Sequence, residues 1–412
     1  MTCKKLLAIL LTALLLAAAL FLTACGTPAS SSTNLIESLP ARVICLAEFS
    51  DRSAEVTDFS LRLFRNSLTD GKNTLISPLS VLAALGMTMN GAQGDTLTQM
   101  ETTLGLPTRD VNTFLYSSMD GQNDTLKLAN SIWLKNTPTL SVEPNFLETN
   151  ADFYQADVFE SPFDNSTLTD INRWVSEKTD GMIPEILDTI PASAVLYLIN
   201  ALSFDARWES IYHDFNVWEN TFTTEDGREQ TVEFMSSTEY AYLEDANATG
   251  FLKYYEGRRY AFAALLPNEG TTVSDYAATL TGEHLRALLS APQQVATHAS
   301  LPKFETEYST DLSDILPAMG MTDAFDVEKA DFSKMASSES GNICISRILH
   351  KTHISVAEEG TKAGAATLTE MEAGAALIQD YKTVTLDRPF LYLLIDCDQS
   401  FPIFIGTLME LE

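Results

Sequence analysis

Positive charge is what this 412-residue chain has least of: 26 lysines and arginines stand against 56 aspartates and glutamates, a formal net charge of −30. Nucleic acids and anionic membranes are held through basic patches, so neither is expected as the main partner. An acidic surface of this kind is expected simply to keep a secreted protein soluble, and a bias of encounters toward basic proteases is the secondary reading. Cysteine is scarce as well. Five occur, of which Cys3 and Cys25 fall in an export segment, leaving Cys45, Cys344 and Cys397. Three cysteines do not make a disulfide framework, and so long a domain can rely on its core; a single bridge stays open. No Cys-x-x-Cys or Cys/His cluster has metal-ligand spacing. His350 and His353 would share a helical face, but in the Val/Ile-rich strand around them they point to opposite faces, so no metal site is expected. The chain also lacks a Gly-x-Ser-x-Gly elbow, a His-Glu-x-x-His zinc motif and a phosphate-binding loop. No cofactor is expected, and no hydrolase constellation is present.

The first residues are of another kind. Lys4-Lys5 precede an apolar run over residues 6–22, and Leu22-Thr23-Ala24-Cys25-Gly26 closes it. A charged start, an apolar centre and small residues before a cleavage point make residues 1–24 a secretory signal. The Leu-Thr-Ala-Cys ending resembles a bacterial lipobox, which implies that Cys25 is lipidated and becomes the mature N-terminus. A spanning anchor is the competing reading, since an apolar run of 17 residues is marginal for a bilayer; the small residue before Cys25 favours cleavage. Lipid on Cys25 would hold the chain to the outer face of a bacterial membrane. Residues 25–45 are then expected as a flexible tether, and residues 46–412 as one folded domain.

Residues 358–373, which begin Glu358-Glu359-Gly360-Thr361, are the most informative stretch. One parity holds Thr361, Ala363, Ala365, Thr367, Thr369, Met371 and Ala373, all uncharged and mostly small. The other holds Lys362, Gly364, Ala366, Leu368, Glu370 and Glu372, with every charge between residues 361 and 373. Period 2 suits a strand buried on one face, although the composition is poor for an ordinary strand. An Ala-rich surface helix competes, but Gly360, Gly364 and Gly374 each cost a helix about 1 kcal/mol. Downstream, Arg388-Pro389-Phe390-Leu391-Tyr392-Leu393-Leu394-Ile395 and Phe401-Pro402-Ile403-Phe404-Ile405-Gly406-Thr407-Leu408 read as two apolar strands joined by a turn. A segment small on one face can wait as a loop and later enter a tight slot in a sheet.

Here the chain resembles the serpins. The hinge Glu358-Glu359-Gly360-Thr361, the upstream His350-Lys351 and the downstream Arg388-Pro389-Phe390 are similar to serpin signatures. So are Asn73-Thr74-Leu75-Ile76-Ser77-Pro78-Leu79-Ser80 and Asn90-Gly91-Ala92-Gln93-Gly94-Asp95-Thr96. The central blocks Ile171-Asn172-Arg173-Trp174-Val175 and Asn200-Ala201-Leu202-Ser203-Phe204 follow in order. Leu301-Pro302-Lys303-Phe304, Met319-Gly320-Met321-Thr322-Asp323-Ala324-Phe325 and Ala330-Asp331-Phe332-Ser333 extend the match across residues 50–410. The resemblance implies an α+β fold with a central five-stranded sheet, two further sheets, eight to nine helices and an exposed reactive-centre loop over residues 358–385. It implies a monomer that is not an enzyme but a suicide inhibitor of secreted serine proteases, consumed as its cleaved loop inserts into the sheet.

The same resemblance assigns residues. The hinge is Glu358, Glu359, Gly360, Thr361, Lys362, Ala363, Gly364, Ala365, Ala366 and Thr367, with Gly360 free to bend and Thr361, Ala363, Ala365 and Thr367 facing the core after insertion. Lys362 departs from the usual Glu, on the outer face. Lys303, Trp208 and Glu358 match the breach at the head of the sheet, although Asp205-Ala206-Arg207 departs from the usual Lys-Gly-Lys. Ser77, Ser80, Asn200 and His350 match the shutter beneath the central strands; as buried polar groups they must be hydrogen-bonded. Counting from Glu358 places the reactive bond between Gly374 and Ala375, and counting back from Pro389 reaches Ile378; Met371, Ala376 and Leu377 are further alternates. None is Arg or Lys, which excludes a trypsin-like anionic pocket and points to an elastase-like target, with chymotrypsin- or subtilisin-like enzymes next. The alternative function is a non-inhibitory serpin, a binding protein or plain substrate, whose hinge usually carries bulky or charged inserting residues.

Overall fold

The computed structural model describes residues 30–39, 51–119, 125–339, 341–361 and 381–411. The signal segment, Cys25, Cys45, hinge residues Lys362, Ala363, Gly364, Ala365, Ala366 and Thr367, and the reactive-bond candidates Met371, Gly374, Ala375, Ala376, Leu377 and Ile378 lie outside the described residues.

The strands of the central sheet are β1 (Thr33–Asn34), β2 (Leu126–Lys135), β3 (Asp157–Ser161), β4 (Leu196–Phe204), β5 (Ala206–Arg207), β6 (Phe304–Asp311), β7 (Arg347–Val356) and β8 (Gly360–Thr361). Five of them form its body in the order β3-β2-β4-β7-β6. The β3–β2 and β4–β7 contacts are parallel, while β2–β4 and β7–β6 are antiparallel. A second sheet has nine strands and includes the two C-terminal strands, Phe390–Asp396 and Phe401–Leu408, as an antiparallel hairpin. Both are buried at every position, which is why they read as continuous apolar runs and not as alternation. A third sheet pairs Ser141–Val142 with Ala336–Ser337. With nine α-helices among the described residues, the molecule has the α+β plan that the sequence implies.

Two helices sandwich the lower part of the central sheet. The Pro78–Met89 helix is buried at all 12 positions, as its almost unbroken apolar sequence requires. Proline opens it, and the Ser77 hydroxyl caps it by accepting from the Ser80 N–H at 3.3 Å. On the other face, Ile171, Trp174 and Val175 of the Asn165–Lys178 helix pack with Trp133, Tyr197, Ile199 and Leu349.

The expected flexible tether is corrected over its described part. Strand β1 pairs antiparallel with β3 at the edge of the central sheet. Before it, one oxygen of Asp170 accepts from the Ser31 N–H at 2.9 Å, the Ser32 N–H at 3.1 Å and the hydroxyls of Ser30, Ser31 and Ser32 at 2.9, 3.0 and 2.7 Å. The serine run reads as linker by composition, yet short polar side chains are also the right donors to wrap a carboxylate.

Candidate functional site at the head of the central sheet

The seam between β4 and β7 is only partly closed. Its pairing covers four registers, from Tyr197/Arg347 to Asn200/His350, and stops there. Both strands run on, β4 to Phe204 and β7 to Val356. At the head of the seam, Gly360 and Thr361 pair with Arg207 and Ala206 on one side, and Thr361 pairs with Val356 on the other. The first residues after the turn at the end of β7 thus already stand as a strand between the two halves of the sheet.

That turn is held from several directions. The Ala357 N–H donates to the Gly360 carbonyl at 3.0 Å. The Trp208 and Tyr212 N–H groups each donate at 2.9 Å, to the carbonyls of Glu359 and Glu358. The indole N–H of Trp208 reaches the Ala357 carbonyl at 2.8 Å. Thr361 is 2% exposed, and its hydroxyl lies 2.6 Å from that of Tyr255, whose ring stacks on Trp208 with centroids 4.3 Å apart. The glycine at 360 has a reason beyond bending. A Cβ there would stand 2.0 Å from the carbonyl oxygen of Ala206, a backbone atom that cannot swing away.

Lys303 Nζ lies 2.8 Å from Glu358 Oε1 and 3.5 Å from Glu233 Oε2, so one ammonium ties the end of β7 to the neighbouring sheet. The bond to Glu358 raises Lys303 above its ordinary pKa. Partial burial works against the Glu358 carboxylate, but Lys303 outweighs it and holds its pKa low. Both side chains are about a third exposed, which limits the pair to under about 1 kcal/mol. The unusual Asp205-Ala206-Arg207 is accommodated because the hinge pairs with the backbone of Ala206 and Arg207, not with their side chains.

The buried polar cluster sits where the seam ends. His350 and Asn200 form its last register pair. The Ser77 N–H donates to His350 Nε2 at 3.0 Å, which fixes that nitrogen as an acceptor and the ring as neutral. Asn200 Nδ2 donates to Asn130 Oδ1, leaving Asn200 Oδ1 and Asn130 Nδ2 buried without a partner among the described residues. Ser80 contributes its N–H to the helix cap, and its side chain is buried beside Ser77. His353 faces the other way, 2.7 Å from Glu305, and no cluster of potential metal ligands occurs among the described residues. Cys344 and Cys397 are free thiols.

Sequence reasoning missed Asn130, Tyr212 and Tyr255. Tyr212 and Tyr255 act through pairing across distant segments, for which the sequence offers no signal. Asn130 carried one: a polar residue on the inward parity of a strand otherwise lined by Leu126, Leu128 and Ile132.

A family model described as Serpin (serine protease inhibitor) matches residues 54–411. The chain belongs to the serpin family. Serpin B6 of Macaca fascicularis is 31% identical over 84% of this chain and 96% of its own length. Leukocyte elastase inhibitor A of Mus musculus is 29% identical over 86% of this chain and 98% of its own. The thermophilic serpin tengpin in its native state matches with a TM-score of 0.88 at 44% identity, covering 92% of this chain and 100% of tengpin. Tengpin in its latent state matches less well, with a TM-score of 0.78 at 42% identity over 89% of this chain and 100% of the other. This serpin therefore stands in a native-like arrangement, with its central sheet open to a further strand.

Burial pushes the His350 pKa down to about 4, against about 6.5 in an unfolded chain. Above the unfolded value both states are neutral and the contribution to stability is complete. As pH falls from about 6.5 toward 4, the unfolded chain takes up a proton that the folded one refuses, and stability is lost, by about 3 kcal/mol in all. His350→Gln is expected to flatten this part of the pH profile of the denaturant midpoint. Parallel profiles for the two proteins would contradict it.

Proposed function

We propose that this serpin is a suicide inhibitor of secreted serine proteases, probing them with a loop that becomes a strand. The observation that carries the reading is β8: the hinge is already paired on both sides within the slot. Continued in that register, each further loop residue matches one step down β4 and β7. Residues 362–366 enter above the closed seam, and Thr367 arrives between His350 and Asn200. From there to residue 370 the entering strand replaces the four existing register pairs. The inward parity set by buried Thr361 places Ala363, Ala365 and Thr367 toward the core, and all are small. A bulky or charged residue at these positions would stop insertion; this favours inhibition over the non-inhibitory alternative.

The chemistry belongs to the target. Its serine Oγ attacks the carbonyl of the residue before the scissile bond, the amine of the next residue leaves with a proton, and an ester joins loop to protease. Insertion of about 15 residues at roughly 3.3 Å each carries the tethered enzyme about 50 Å before water can cleave the ester. We place the bond between Gly374 and Ala375, because the length of the inserting segment is what trapping constrains. Small residues there fit an elastase-like pocket, a reading supported by likeness to a protein named leukocyte elastase inhibitor A. We further propose that Cys25 is lipidated and holds the inhibitor at a bacterial outer surface.

Mixing with pancreatic or neutrophil elastase is expected to give a covalent complex on a denaturing gel and a released fragment beginning at Ala375. Loop-cleaved inhibitor is expected to melt well above the intact form. Plain cleavage with full protease activity retained, or equal melting temperatures, would sink the reading.

Thr361→Arg tests the seating from which insertion would extend, since it puts a charged side chain beside Tyr255 at a position 2% exposed. Complex formation should vanish while cleavage continues. A complex that persists would count against strand insertion.

Cys25→Ser should abolish incorporation of labelled palmitate in a bacterial host and release the protein from the membrane fraction. Unchanged labelling would remove Cys25 as the anchor.

A further inference from the structure

A buried cation lies directly behind the hinge, and nothing in the inhibitory scheme so far uses it. Lys253 is 1% exposed, on the strand Ala248–Tyr254 of the second sheet. Its Nζ donates to Glu239 Oε1 at 2.8 Å, and the Ser237 hydroxyl donates to the same carboxylate oxygen at 2.6 Å. The ammonium lies 4.2 Å from the ring centroid of Tyr212 and 5.5 Å from that of Trp208. Burial opposes its charge, yet Tyr212 and Glu239 more than offset that and raise its pKa.

Tyr212 and Trp208 are the two residues whose backbone N–H groups hold the carbonyls of Glu358 and Glu359, and the Trp208 indole holds Ala357. Trp208 also stacks on Tyr255, which meets Thr361. One cation therefore touches two of the three aromatic rings on which the hinge is seated. As a source of stability it is a poor choice, because a hydrophobic side chain of similar volume usually does as well as a buried ion pair. What a cation adds is direction: it prefers the faces of the rings, while the hydrogen bond to Glu239 fixes where it stands.

We propose that Lys253 and Glu239 are positioning residues for strand insertion. They set the rings of Trp208 and Tyr212, and through them the backbone donors, so that Gly360 and Thr361 stay paired as a ready-made nucleus. The proposal rests on the inhibitory reading. With the first pairs in place, insertion proceeds by extension of an existing strand, and the ordering cost of starting it is met in advance. Without them, the race between insertion and hydrolysis of the ester shifts toward hydrolysis.

The test uses the full chain as Lys253→Met, Glu239→Gln and the double variant, which leaves no unpaired buried charge and keeps the test alive if Lys253→Met does not fold. Two quantities are read with elastase: the moles of inhibitor consumed per mole of protease trapped, and the rate of loop attack. A third is hydrogen exchange at the Trp208 and Tyr212 amides. For the double variant we expect consumption to rise at least about threefold and exchange at those two amides to quicken roughly tenfold, with loop attack and exchange in β6 unchanged. Unchanged consumption with a trapping wild type overturns the proposal. So does exchange that quickens throughout the sheet, which marks a merely structural pair. If the wild type traps no protease, the inhibitory reading fails instead, and exchange confined to Trp208 and Tyr212 still decides whether the pair seats the hinge.

Discussion

Backbone hydrogen bonding across one seam sets the behaviour of the whole central sheet. Strands β4 and β7 are parallel neighbours joined by four registers, and their upper halves are spread around the two-residue strand β8. Interior strands normally exhaust their N–H and C=O groups on both sides. Here, among the described residues, nothing pairs across the seam between Asn200/His350 and β8. A strand that filled it would satisfy both edges at once, so the sheet holds an unmade ladder that only an added segment can complete. Gly360 and Thr361 stand at the head of that gap, paired with Arg207, Ala206 and Val356.

The surroundings decide where the sheet opens. On its far side β7 is paired with β6 over eight registers, from Phe304/Val356 to Asp311/Leu349. Across their outer face, Arg347–Asp311, Lys351–Glu307 and His353–Glu305 approach at 2.7, 2.6 and 2.7 Å. Each is a modest surface pair, but together with the ladder they make β6 and β7 one ribbon. The β4 side is the weaker seam, joined by four registers of which His350/Asn200 is the last, against eight on the β6 side. Asn200 Oδ1 and Asn130 Nδ2, buried and without a partner among the described residues, make this closed state less stable than its packing suggests.

Much of this was legible in the sequence, and the reasons are local. The start of a strand at Gly360–Thr361 was visible because period 2 is a property of neighbouring residues, while the alternation beyond it lies outside the described residues. The C-terminal hairpin was visible because strands covered on both faces need unbroken apolar runs. Resemblance supplied the Lys303–Glu358 pair and the cluster of Ser77, Ser80, Asn200 and His350, and the structure brings the members of each group together. What stayed hidden depends on long-range placement. Ser30, Ser31 and Ser32 look like linker until Asp170 is beside them. Lys253, between Leu252 and Tyr254, looks like the wet face of a strand until both faces prove covered. Gly360 reads as a flexible joint, whereas its service is to let β5 pass within reach of the hinge backbone.

The last point changes how the hinge should be understood. A joint that merely bends leaves its residues disordered until they are needed, and the first step of insertion then bears the full cost of fixing two backbones in a strand. In this serpin that step is already taken: Thr361 is buried, Gly360 is wedged against Ala206, and three N–H groups from Trp208 and Tyr212 hold the turn. The cost of nucleation has been moved into the folded state, where close packing around Trp208 and Tyr255 can bear it. If the loop inserts as proposed, what lies ahead of it is the unpaired upper part of the β4–β7 seam and then its four closed registers. On the proposed inhibitory reading, the barrier to insertion would therefore lie low in the sheet, where His350 and Asn200 close the seam, and not at the hinge.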